Sequence, residues 1–196
     1  MRLDLDTLRA IYPSLSELRA RAYLPHLVAA CEEAGIDTRL RLAAFLAQIG
    51  HESGELRYWE ELASGIAYEG RRDLGNTQPG DGIRYKGRGP GQLTGRKNYR
   101  AAGKALGIDL EADPQRASAV EVGFRVAGWY WTTHRCKEPA DAGDLNTISA
   151  RWNCGRDTCR VNGLEHRGQI YARALLHLPP DPVVAERDRC GHGRMA

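Results

Sequence analysis

Along this chain, apolar and polar positions alternate with a helical period in three places. From Thr38 to His51 the apolar residues Leu42, Phe45, Leu46 and Ile49 recur at the spacing of a helix with one buried face. A second helical pattern runs from about Val120 to Trp131. The third begins at Asn162, whose side chain is placed to cap while Glu165 stands at the capping-box position, and it continues through Ile170, Tyr171, Ala174 and Leu175. The run Pro179-Pro180-Asp181-Pro182 stops that helix, so the pattern predicts one mainly helical domain over residues 1–178 and a peripheral tail over 179–196. Between Gly65 and Gly95 the period disappears. About thirty Gly-rich, polar residues are too many for a neutral connection, and they mark the expected binding surface.

Composition narrows the class. At 196 residues and 42% hydrophobic content the chain can bury a single core of ordinary size. Its longest apolar runs, Leu42 to Leu46 and Ala174 to Leu176, are far too short to cross a bilayer, so no stable membrane insertion is expected. The charged start Met1-Arg2-Leu3-Asp4-Leu5-Asp6 is unlike a signal peptide, which predicts synthesis in the cytoplasm without a secretion signal of its own. A formal charge of +3 permits attraction to an anionic polymer such as the bacterial wall without demanding it. The cysteines, Cys31, Cys136, Cys154, Cys159 and Cys190, are odd in number and scattered. They read as free thiols, although Cys154 and Cys159 are close enough in sequence to join in an oxidising compartment. Neither they nor the histidines have a recognised ligand spacing, so no metal and no cofactor is expected.

Glu52 carries the first chemical signal. It follows Ile49 by three residues and Phe45 by seven, so a continued helix places its carboxyl on the apolar face. Burial and the negative end of the helix dipole would both keep a proton on it, as a general acid requires; the alternative is a glutamate at a frayed helix end that turns to water. Glycoside hydrolysis commonly needs a second carboxylate. Glu55, Glu60, Glu61 and Glu69 are all available, and spacing does not choose among them.

Two motifs carry a resemblance. The run Ala44-Phe45-Leu46-Ala47-Gln48-Ile49-Gly50-His51-Glu52-Ser53-Gly54 resembles the acid-bearing helix of family 19 glycoside hydrolases, and Tyr85-Lys86-Gly87-Arg88-Gly89-Pro90-Gly91-Gln92-Leu93-Thr94 with Asn98-Tyr99 is similar to that family's second signature. Weaker similarity extends the match over residues 40–178. The resemblance implies a largely helical, lysozyme-like fold and an inverting mechanism. It implies Glu52 as acid and, since Trp59-Glu60-Glu61-Leu62 is similar to a segment of phage members, Glu61 as base with Glu60 its rival. Thr94 then helps hold the catalytic water, while Gln92, Asn98 and Tyr99 line the sugar cleft. Trp152-Asn153-Cys154-Gly155 resembles a late Asn-Gly-Gly signature with Cys in place of Gly, which makes Asn153 a candidate substrate contact. The Gly87 to Gly91 run fits neither a dinucleotide loop nor a P-loop, and Arg88 within it is either a carboxylate-holding residue or a plain surface arginine.

The function implied is a monomeric endolysin-type glycosidase that cuts β-1,4 linkages between N-acetylated amino sugars in peptidoglycan glycan strands, reaching the wall through a separate holin-type protein. An effector delivered by a secretion machine fits the same residues, and a chitinase is the closest alternative. A non-catalytic wall-binding module and a nucleic-acid-binding domain built on Arg84, Lys86, Arg88, Arg96 and Lys97 leave Glu52 unexplained, so no nucleic-acid partner is expected.

Overall fold

The computed structural model describes residues 3–182; Cys190 and the tail from residue 183 onward lie outside them. Among the described residues the chain forms nine α-helices and three 3₁₀ turns. The helices are α1 (Leu5–Ile11), α2 (Glu17–Ala34), α3 (Arg39–Glu52), α4 (Asp81–Arg84), α5 (Arg96–Leu106), α6 (Val120–Thr133), α7 (Lys137–Asp141), α8 (Leu145–Cys154) and α9 (Leu164–His177). None is long and apolar enough to cross a membrane. The mainly helical expectation holds.

α3 is the central helix. Thr38 caps it, its hydroxyl accepting from the Arg41 N–H at 3.3 Å, and the helix packs along α9, with α7 and α8 also against it and Tyr12, just after α1, reaching its backbone. The expected single apolar face is too narrow a description, because every residue from Leu42 to Gly50 is buried. Small residues allow this. A Cβ on Gly50 would stand 2.5 Å from Tyr12 Cε1, and the Tyr12 hydroxyl instead donates to the Leu46 carbonyl at 2.6 Å. Phe45 packs edge-on against Trp131 of α6 and Trp152 of α8, tying three helices together.

The N-cap of α9 falls one residue later than the pattern suggested. Gly163 is its N-cap, in a left-handed conformation at φ 69°, and no side chain caps the helix, so the Asn162–Glu165 capping box does not form. Its Glu165 carboxylate accepts from Gln169 one turn on.

The Gly-rich stretch has its own small core, in which Tyr85, Leu93, Tyr99, Ala102, Leu110, Ala117, Val122 and Val126 pack beneath it. Its frame is polar. Buried Asp81 accepts from the N–H groups of Thr77 and Gln78, both at 3.0 Å, and pairs with Arg96. Buried Asn76 donates to the Tyr68 carbonyl and accepts from the Arg96 N–H, both at 2.9 Å, which joins the stretch to the start of α5. Isolated antiparallel bridges Glu60–Arg88 and Arg88–Leu93 complete it.

A disulfide joins Cys154, the last residue of α8, to Cys159, so these two are not the free thiols expected. The turn after Gly155, at φ 67°, carries Cys159 back toward the end of α8. Cys31 and Cys136 are free and buried.

Candidate active site

A cleft of about 650 Å³ runs between the C-terminal end of α3, the Gly-rich stretch, α6, and the segment joining α8 to α9. Glu52 enters it as the last residue of α3. Beyond Glu52 the chain turns sharply: Gly54, Glu55 and Leu56 are all left-handed, at φ 58°, 60° and 63°. Two of these are not glycine, a conformation costing roughly 1–2 kcal/mol per residue, so the turn is held by tertiary contacts. Ser53 accepts from the Leu56 N–H at 2.8 Å, and Glu55 is anchored by Ser14 and Arg173. Burial opposes ionisation of Glu55, yet those hydrogen bonds hold its carboxyl below the usual range. The turn delivers Glu61 to the cleft.

Glu52 has a partner that the sequence reading did not include. Arg167 of α9, its side chain only 1% exposed, donates to Glu52 Oε1 at 2.5 Å and to Gln48 Oε1 at 2.5 Å, and Gln48 in turn donates to Ser149 at 3.2 Å. Glu52 is therefore held by a buried cation rather than by apolar surroundings alone. A signal for Arg167 was present: it precedes Ile170 by three residues and so shares its apolar stripe, the same anomaly that marked Glu52. Beside this pair lies another, His51 against His166, with their Nδ1 atoms 3.1 Å apart. Burial, Arg167 and His166 push His51 down to about 4. Gly163 makes room for the His51 ring, since a Cβ there would fall 1.9 Å from its Cε1.

The neighbouring glutamates separate. Glu61 lines the cleft, its Oε1 accepting from the Tyr68 hydroxyl at 2.9 Å and its Oε2 from the Gly87 N–H at 3.1 Å. Glu60 instead pairs with Lys86 at 3.1 Å and Arg88 at 3.4 Å. Glu69 is occupied by the N–H groups of Gly80 and Gly82, at 2.7 and 2.8 Å.

Thr94, Gln92, Asn98 and Asn153 also line the cleft. The Thr94 hydroxyl donates to the Gln92 carbonyl at 2.9 Å, and Asn98 donates to the Thr94 carbonyl at 2.8 Å. Tyr99 and Arg88 do not reach the wall; both belong to the packing beneath it. Tyr99 is fully buried and donates to the Lys86 carbonyl at 2.7 Å, while Arg88, 3% exposed, donates to the Arg84 carbonyl at 2.8 Å and to the Tyr99 hydroxyl at 3.2 Å. They were expected as substrate contacts, but both are buried under the loop; Arg88 does hold a carboxylate, that of Glu60 within the protein, at 3.4 Å. Tyr68, Arg71, Tyr130, Trp152 and Asn162 line the cleft and were not among the sequence candidates. Among the described residues that line it, Arg71 is the one basic side chain, exposed and oriented by Asp73. No three His, Cys, Asp or Glu side chains converge as a metal site among the described residues.

This pair of cleft carboxylates sits in a stretch, residues 18–171, that matches the family model described as chitinase class I. The chain belongs to glycoside hydrolase family 19. It is thus a glycoside hydrolase of the chitinase family. A family 19 domain-containing protein of Haemophilus influenzae is 31% identical over 83% of this chain and 96% of its own length. An endochitinase of Arabidopsis thaliana is 44% identical over 68% of this chain but only 43% of its own, so the family 19 domain here spans less than half of that plant relative. Among solved structures, a bacterial family 19 chitinase superposes with a TM-score of 0.69 at 28% identity, covering 91% of this chain and 96% of that one. A class IV chitinase from Zea mays gives 0.62 at 26% identity, covering 83% of each.

Proposed function

We propose that this family 19 glycosidase hydrolyses β-1,4 linkages between N-acetylated amino sugars of bacterial peptidoglycan, with inversion. Glu52 donates the proton to the leaving oxygen, Glu61 takes the proton of the attacking water, and Thr94 orients that water. The observation that carries the reading is the placement of Glu52 and Glu61 on one cleft of about 650 Å³, each held by donors of its own. Amide side chains of Gln92, Asn98, Asn153 and Asn162 suit N-acetyl groups, and Tyr130 and Trp152 offer aromatic surface to sugar rings.

Arg71 supports the wall polymer over chitin. Peptidoglycan carries peptide carboxylates beside the glycan, chitin carries none, and an exposed guanidinium in the cleft suits the charged substrate. The chain acts as a monomeric endolysin, made in the cytoplasm and released to the wall by a separate holin-type protein. The Cys154–Cys159 bond accords with work in an oxidising compartment.

Mass spectrometry of fragments from digested peptidoglycan, run beside sugar release from chitin, tests the reading. New reducing ends on the wall glycan and slow release from chitin are expected. Release from chitin alone would make it a chitinase, the activity named for its plant relatives, and cleavage at the peptide would overturn the glycosidase mechanism.

A further inference from the structure

The Glu61 carboxylate is held at both ends. Its Oε1 takes the Tyr68 hydroxyl at 2.9 Å and its Oε2 takes the Gly87 N–H at 3.1 Å, two donors from separate segments of the Gly-rich stretch. We infer that Tyr68 is a positioning residue for the reaction, setting, together with Gly87, the plane in which Glu61 meets the attacking water. The inference rests on Glu61 being the base.

Three observations carry it. First, each carboxylate oxygen has more than one acceptor site, so one bond to each leaves capacity for a water while removing the side chain's freedom to rotate. Second, Tyr68 is itself fixed. It ends the 3₁₀ turn Ile66–Tyr68, its N–H donates to the Gly65 carbonyl at 2.9 Å, and its carbonyl takes a bond from the fully buried amide of Asn76. Burial and the bond to Glu61 push the Tyr68 hydroxyl up to about 12, so it stays a donor at neutral pH. Third, the other half of the clamp needs a glycine. A Cβ on Gly87 would lie 2.5 Å from Gln92 Oε1 and 3.2 Å from Glu61 Oε2. Only a bare backbone lets both cleft side chains approach.

The Tyr68 hydroxyl is bonded to the base, and replacing it with hydrogen keeps the ring in the cleft wall, so its loss should slow turnover more than it weakens binding. Misplacement of a reacting group by about 1 Å can cost on the order of a hundredfold. Loss of one of two restraints should cost less, and about tenfold is expected. The experiment compares Tyr68→Phe, Glu61→Gln and the double variant on soluble wall glycan fragments, with thermal unfolding as a check on the fold. Tyr68→Phe should lower kcat about tenfold with KM within about twofold, and adding it to Glu61→Gln should cause no further loss. An unchanged kcat in Tyr68→Phe, a rise in KM in place of the fall in kcat, or the same tenfold fall in the Glu61→Gln background would overturn the inference. A fully active Glu61→Gln would instead overturn the base assignment, and the inference with it.

Discussion

Arg167 reaches across 115 residues of sequence to donate to Glu52, and its guanidinium is almost completely buried when it does so. The two helices that pack most extensively, α3 and α9, are thus joined at the acid itself. We expect Glu52→Gln to abolish hydrolysis nearly completely while the protein still folds, because an amide can still accept from Arg167 but cannot donate a proton to the leaving group. Arg167→Gln should cost both stability, by about 1–3 kcal/mol for the buried acceptors left without it, and more than tenfold in activity. Urea unfolding and wall-turbidity assays on the two variants check this; full activity in a folded Glu52→Gln would remove it from the acid role.

The adjacent glutamates should behave differently. Glu61→Gln is expected to lose at least a hundredfold in kcat, within the usual range for a positioned base. Glu60→Gln should change it by less than about twofold, since Glu60 pairs with Lys86 and Arg88 and is not among the side chains that line the cleft. Thr94→Ala should fall between them, removing a water-orienting hydroxyl and no proton acceptor. Steady-state kinetics on one glycan substrate rank the three.

The Cys154–Cys159 bond closes a short loop at the edge of the cleft, beside Asn153 and Asn162. Reduction, or the Cys154→Ser/Cys159→Ser variant, should lower stability by about 2 kcal/mol, the chain-entropy value for so small a loop. A rise in KM larger than the change in kcat should accompany it, because the loop presents substrate contacts and neither carboxylate. Unfolding midpoints and KM with and without dithiothreitol measure both. An unchanged KM would separate the loop from binding.

His51 sets an acid limit. Its folded-state value, about 4, lies below the ordinary 6.5, first through burial and then through Arg167 and His166. A histidine shifted in this direction contributes stability that is fully present above 6.5 and is lost as pH falls toward 4, because the unfolded chain takes up the proton more readily. Stability should therefore drop across that window, and His51→Gln should flatten the slope between pH 6.5 and 5, where few carboxylates titrate. Unfolding free energy measured against pH for both proteins tests this, and parallel slopes would refute it.

By itself the sequence determined the parts that depend on neighbours a few residues apart. The apolar spacing of Leu42, Phe45, Leu46 and Ile49, and of Ile170, Tyr171, Ala174 and Leu175, is a local property that marks α3 and α9 within two residues at each end. The loss of that period between Gly65 and Gly95 marks the cleft stretch for the same reason, and Glu52 stood out because a charge on an apolar stripe is visible without any fold. Tertiary structure alone decided which partner each polar group has. Glu61 is separated from Glu60 by bonds to Tyr68 and to Gly87, 26 residues away; Arg167 is assigned to Glu52 by the packing of α9 on α3; Tyr99 and Arg88 are withdrawn from the cleft by a small core that draws on α5 and α6. A hydrogen bond needs its donor within about 3 Å, and the spacing of residues along a chain does not say which distant segments will come that close.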